Sequence, residues 1–301
     1  MQNRILALTV VVFGIVFFSI NSSSNTTFFI TEAEAPKIAV KDTFNDSIIN
    51  MELESYIIGV VASEMPASFN EEALKAQAVA SRTYALYKMS SNNGNYDIVT
   101  DVSNQGYIDI AKMHNKWKED FDKYYSKIKN AVLSTKGEIM LYNGKIVEAY
   151  YFAMSNGYTE NAELVFNESR EYLQSVESSY DSTLKNFQVQ KTFEKKEICS
   201  ILNINCNNLS FSDIKRSTTG RVNSINISGT VYKGTTIRKK LGLRSTDFDV
   251  NVIDDKVIFT TKGYGHGVGM SQNGANGMAK AGYNYKEILE YYYKNVKIST
   301  I

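Results

Sequence analysis

In the stretch GVVASEMPASF, residues 59–69, a carboxylate stands where the pattern calls for an apolar side chain. Ile57, Val60 and Val61 follow the three-and-four spacing of an amphipathic helix, and Glu64 continues the same stripe. Pro66 pushes Met65 out of the helical region, so the helix must end near Glu64 with the carboxyl on its buried side. A carboxyl partly withdrawn from water has its charged form disfavoured and its pKa raised, as a general acid near neutral pH requires. The competing reading is a structural Glu paired with Lys75 or Arg82. Those cations lie seven residues apart in EEALKAQAVASRTYALYK, on one helix face with Glu71 and Ala78. They form either a cationic face beside Glu64 or a solvated face with a Glu71–Lys75 pair.

A second segment able to do chemistry is GYGHGVGMSQNGANGMAKAG, residues 263–282, which holds seven of the chain's 18 glycines. Gly263, Gly265, Gly267 and Gly269 alternate, a spacing that strips one face of an extended run of side chains and lets something flat approach the backbone closely. It is neither the dinucleotide G-x-G-x-x-G pattern nor a P-loop, since no Gly-Lys-Ser/Thr follows. His266, one of only two His, is expected to reach a pocket from this run, with Ser271 and Gln272 bordering it opposite Glu64. His114 reads as structural. A third segment, AMSNGYTENAE at 153–163, turns at Asn156-Gly157 and presents Ser155, Thr159 and Glu160.

The elements that must position these groups read as α+β. Residues 41–90 look helical, with Ser68 and Glu71 at capping-box spacing; 113–135 are helical again. From Gly137 strands take over, and Asn143-Gly144 marks a hairpin. Residues 167–200 are charged and aperiodic, short β-branched runs fill 208–262, and NYKEILEYYYKN forms a final helix. Residues 41–301 are expected to form the functional domain, with 167–262 a candidate second lobe beside a cleft.

The 301 residues allow a sizeable core. A net charge of +1 with no dense basic run gives no case for a nucleic-acid partner. At the N-terminus, Arg4 precedes the uncharged ILALTVVVFGIVFFSI and then the polar NSSSNTT. With no small-x-small site close behind it, this run reads as an uncleaved single-pass anchor at residues 5–20 rather than a signal peptide. Residues 1–40 then form anchor and polar stalk, with the remainder extracytoplasmic. Cys199 and Cys206 are the only cysteines, and their spacing suits a disulfide or two free thiols equally.

The motifs together resemble the stage II sporulation protein D family, which includes amidase enhancers. The resemblance rests on VVASEMPASFNEEALKAQAVASRTYAL (60–86), SNGYTEN (155–161), LGLRSTDF (241–248) and GYGHGVGMSQNGANGMAKAGYNYKEILEYYY (263–293), and covers roughly residues 45 to 297. It implies a peptidoglycan lytic transglycosylase that cuts glycan strands already stripped of stem peptides during forespore engulfment. Glu64 matches the catalytic acid/base of the Ser-Glu-Met-Pro motif. Lys75, Arg82, Gln105, Ser155, Gly157, Thr159, His266, Gly267, Gly269, Ser271 and Gln272 match positions expected around the glycan cleft. Implied partners are the glycan, a sporulation amidase and membrane proteins of the engulfment complex, in the space between mother cell and forespore. Some clostridial-type members carry a His/Cys zinc site; here NNGNYDIVTDVSNQGY (92–107) has neither residue, so no metal or other cofactor is expected. The rival reading is a non-catalytic wall-binding scaffold or amidase enhancer, and a weaker one is a hydrolase leaving reducing ends.

Overall fold

Pro66 divides two helices as the sequence requires. The computed structural model describes residues 36–301 apart from 44, 93, 102 and 103, so the apolar run at 5–20 lies outside the described residues. Helix α1 (Leu53–Glu64) ends at Met65, which is extended at φ −116° and ψ 145°. Helix α2 (Glu71–Ser91) is capped by Asn70, whose side chain accepts from the Glu72 N–H at 3.0 Å. The expected Ser68–Glu71 box is not formed, because the chain enters the helix two residues later. Residues 41–90 are not helical throughout either: strand Lys37–Lys41 pairs antiparallel with Ile48–Glu52 and parallel with Ile98–Val99.

Small side chains let α2 serve as the central post. Ala73, Ala76, Ala78, Ala80 and Ala85 are all buried, so neighbouring backbones come close to it. Around it pack α1, the strand Glu138–Tyr142 and three later helices. In chain order the helices that follow α2 are α3 (Ile110–Trp117), which lies against α4, then α4 (Phe121–Ser134), α5 (Ala162–Phe166), α6 (Lys195–Leu202), α7 (Gly234–Leu241), α8 (Gln272–Lys280) and α9 (Tyr285–Tyr292). The helices against α2 are α4, α8 and α9. The Glu138–Tyr142 strand turns through Asn143 and Gly144, both at positive φ as a two-residue hairpin loop requires, and pairs with Lys145–Ile146. Its other edge takes Lys297–Thr300. Asn284 and Glu287 cap α9 reciprocally.

A second hydrophobic core lies within residues 188–262. Phe193, Ile198, Ile225, Ile237, Phe248 and Phe259 are its buried centre. One antiparallel sheet runs Phe248–Ile253, Lys256–Lys262, Gln188–Glu194; another runs Thr230–Lys233, Val222–Ile227, Phe211–Arg216. α6 and α7 pack with them. Cys199 and Cys206 are joined as a disulfide, Cα to Cα 5.6 Å, which resolves the open choice. Residues 172–176 belong to the first core instead: Tyr172, Leu173 and Val176 pack there. From the second core the glycine segment leads back to strand Met270–Ser271, which pairs parallel with Tyr151–Phe152 and opens directly into α8. Among the described residues no helix is long and apolar enough to cross a membrane.

Candidate active site

Glu64 is half-buried at the last turn of α1, and each of its oxygens has a fixed neighbour. The Gly106 N–H donates to Oε1 at 2.6 Å, and the Gln272 amide donates to Oε2 at 3.4 Å. Gln272 also donates to Gln77 Oε1 at 3.3 Å, which ties α8, α2 and the carboxyl together. Burial pushes the Glu64 carboxyl above its ordinary range, against the opposing pull of Gly106, Gln272 and the Lys116 charge. Lys116, from α3, donates to the Ala62 carbonyl at 2.8 Å; burial lowers its own pKa.

A side chain at 106 would displace the Glu64 carboxyl or the Ser63 hydroxyl. A Cβ there would sit 2.7 Å from Ser63 Oγ and 2.9 Å from Glu64 Oε1. Gln105 holds that backbone in place: its amide accepts from the Tyr56 hydroxyl and donates to the Ser81 carbonyl, each at 3.2 Å. Both ends of this buried side chain are therefore engaged with protein. Tyr107 stacks on Tyr56 with ring centroids 5.6 Å apart.

Tyr151 faces the same site. Its hydroxyl is buried and makes no hydrogen bond, although Ser81 and Gln105 lie nearby. Burial holds the phenol far above its ordinary pKa and the Glu64 charge adds to this, so it stays a proton donor. Tyr151, Gln105, Tyr84, Tyr150, Phe166 and His266 line a cavity of about 130 Å³.

Other residues expected around a glycan cleft are structural. Arg82 is fully buried: its guanidinium forms a fork with both Glu54 oxygens at 2.8 and 2.6 Å and also donates to the Glu138 and Val132 carbonyls. Lys75 pairs with Glu71 at 3.0 Å and Glu72 at 2.8 Å. The α2 side chain that reaches the Glu64 group is Gln77, two residues on and about 200° around the helix. Neither cation pairs with Glu64. Ser155 and Thr159 are fully buried and bond the backbone of residues 174–178. Ser271 caps α8 by accepting from the Gly274 N–H and donates at 2.8 Å to Asp181, which also takes Ser178 and the Ser155 N–H. Its hydroxyl is thus engaged with protein at the start of α8, next to Gln272. Gly157 is a half-exposed turn residue at φ 108° with nothing within 4 Å of a Cβ, the one expected contact whose surroundings are open.

The glycine segment is not a bare face. Gly263, Gly265, Gly267 and Gly269 all have positive φ, and a Cβ at each would strike protein. At Gly269 it would lie 1.9 Å from the Tyr150 carbonyl oxygen, and at Gly263 2.7 Å from that of Ser155. Alternation reflects close packing, of Gly263, Gly265 and Gly269 against residues 150–155 and of Gly267 against the Arg221 guanidinium; Gly267 and Gly269 are both buried. His266 bonds inward as well: Nε2 faces the Tyr151 carbonyl at 3.1 Å and Nδ1 accepts from the Val268 N–H. Burial and the nearby Arg238 charge push its pKa down to about 3, so the ring is neutral and pins Tyr151.

Comparison with known proteins agrees with the motifs. The family model described as Stage II sporulation protein matches residues 41–142. The sequence is 42% identical to the stage II sporulation protein D of Bacillus subtilis (strain 168) over 275 residues, 89% of this chain and 80% of that one. The chain belongs to the stage II sporulation protein D family. The Bacillus amyloliquefaciens member is 41% identical over the same shares of each chain. The amidase enhancer of Bacillus subtilis (strain 168) is 28% identical over 80% of this chain and 40% of its own length. The family model spans Glu64, Gly106 and Lys116, whereas Tyr151 and Gln272 come from beyond it. Sequence reasoning missed Gly106, Lys116 and Tyr151. Only Gly106 carried a signal, as a glycine directly after Gln105.

Proposed function

We propose that this family member is a peptidoglycan lytic transglycosylase acting on strands freed of stem peptides in sporulation, with Glu64 as its single acid/base. The observation that carries this reading is the half-buried Glu64 carboxyl, raised in pKa yet held by Gly106 and Gln272. Hydrolysis with water ordinarily employs two carboxylates. The charged group acting on Glu64 is instead the Lys116 ammonium. One carboxyl suffices if the sugar supplies its own nucleophile. Protonated Glu64 gives its proton to the departing glycosidic O4 as the C1–O4 bond breaks. The same sugar's 6-hydroxyl oxygen bonds to C1, and its proton passes to the Glu64 carboxylate, leaving a 1,6-anhydro end and the carboxyl as it began. Lys116 favours the carboxylate between the two transfers, and the Tyr151 hydroxyl donates to a sugar oxygen.

A second reading is favoured by the match to an amidase enhancer: a scaffold that binds wall and stimulates an amidase. The segment at 5–20 would hold either activity outside the cytoplasmic membrane. Mass spectrometry of products from purified stripped strands separates the readings. We expect 1,6-anhydro ends, and a loss of at least about 10²-fold in rate for a folded Glu64→Gln protein. Reducing ends would make the protein a hydrolase. No cleavage with strong stimulation of an added amidase would make it a scaffold.

A further inference from the structure

Arg221 is a buried cation with N–H groups that the protein leaves unanswered. It is 4% exposed, and its Nη2 donates to the Tyr158 carbonyl at 3.1 Å, while Nε and Nη1 have no partner. A buried guanidinium is costly unless its N–H groups are answered. The neighbouring carboxylates, Glu160 and Asp247, are used elsewhere: Asp247 pairs with Arg216 at 3.5 Å and accepts from the Asn156 amide at 2.7 Å. Glu160 accepts from the Ser217 hydroxyl at 2.6 Å and from Thr219 on one oxygen, and from the Asn161 N–H on the other.

The guanidinium lines a cleft of about 280 Å³, together with Leu164 and Val165 of α5 and with Lys233 and Thr235 at the start of α7. No side chain caps α7, so its first N–H groups add partial positive charge there. Glu160 and Glu163 also line the cleft. They moderate the field, which suits a single negative charge better than a dianion.

This cleft is close to the site at Glu64. A Cβ at Gly267 would lie 2.5 Å from Arg221 Nε, so the guanidinium lies on the glycine backbone. Gly267 is three residues from Met270, which pairs with Tyr151, a separation of at most about 11 Å along the chain. α5 lines both cavities, Phe166 the one with His266 and Leu164 the one with Arg221.

We infer that the Arg221 cleft binds a carboxylate of the glycan itself, the lactyl carboxylate exposed on each muramic acid residue when its peptide is removed. This rests on the glycan-cleaving reading above and supplies it with a source of selectivity. On an intact strand the same position is a neutral amide bearing a peptide, which brings no charge to the guanidinium. On a stripped strand it is a monoanion that completes the unpartnered N–H groups.

The test measures binding of stripped strands, and of strands whose lactyl carboxylates have been converted to methylamides, to the Glu64→Gln protein. Neutralising the carboxylates should weaken binding about tenfold or more. Adding Arg221→Gln should abolish that difference, so that both strands bind alike. Because Arg221 is buried, Lys233→Gln at the exposed rim provides a variant that leaves folding intact, and it should shrink the difference in part. Equal affinity for the two strand types in the starting protein would overturn the inference. So would an equal effect from a remote lysine change such as Lys123→Gln, which would mark a general charge effect. Cleavage with 1,6-anhydro ends but no carboxylate discrimination would reject this inference alone. Discrimination without any cleavage by the unmodified protein would reject the enzymatic reading alone.

Discussion

A single carboxyl in a half-dry setting has consequences that pH can expose. Burial raises the Glu64 pKa in the folded protein, whereas an unfolded chain releases the proton near about 4.3. Below that value both states are protonated and nothing is lost. As pH rises, the unfolded state ionises first, so the folded state loses stability until the raised folded pKa has been passed. Glu64→Gln removes this penalty. The variant should therefore gain stability over the unmodified protein as pH goes from 4 to 7, read from urea unfolding at both values. Cleavage by the unmodified protein should fall as pH rises through the same folded pKa, since the first step needs the proton. A variant whose relative stability declines toward pH 7 would show that Gly106 and Lys116 outweigh burial.

At the level of elements, the glycine segment separates what a sequence displays from what packing decides. Gly144 and Gly269 share φ 77°, but nothing lies within 4 Å of a Cβ at Gly144, whereas one at Gly269 would sit 1.9 Å from the Tyr150 carbonyl oxygen. Gly144→Ala bears only the backbone cost; Gly269→Ala must also force two chain segments apart. Gly269→Ala should thus cost at least about 2 kcal/mol more than Gly144→Ala in denaturant unfolding. Equal costs would mean that residues 150–155 yield easily. Regular spacing made the segment legible, but what its missing side chains make room for depended on distant residues, from Tyr150 to Arg221. The end of α1 was legible because Pro66 acts on its immediate neighbour, and the Asn143-Gly144 hairpin because turn geometry is local. Arg82 was not: its partner Glu54 lies 28 residues earlier, on another helix. Tyr151 gave no local hint, since its importance comes only from the strand pairing that brings it beside Glu64.

Over the whole molecule, the site at Glu64 is built from the first core, while Arg221 is offered by the second. The Cys199–Cys206 bond sits in that second core, between the α6 residues Ile198 and Leu202 that pack there and the loop after them. Such bonds persist mainly in oxidising compartments, which fits the extracytoplasmic placement proposed above. Closing so short a loop constrains the unfolded chain by about 2–3 kcal/mol. Because the two cores are separate clusters, this loss should fall unevenly. In a Cys199→Ser, Cys206→Ser protein, hydrogen exchange should quicken across 188–262 while amides of α1 and α2 keep their protection. Cleavage at Glu64 would then persist as the carboxylate discrimination assigned to Arg221 weakens. If exchange quickened equally in α1 and α2, the two cores would be one cooperative unit, and strand recognition and bond cleavage would be lost together.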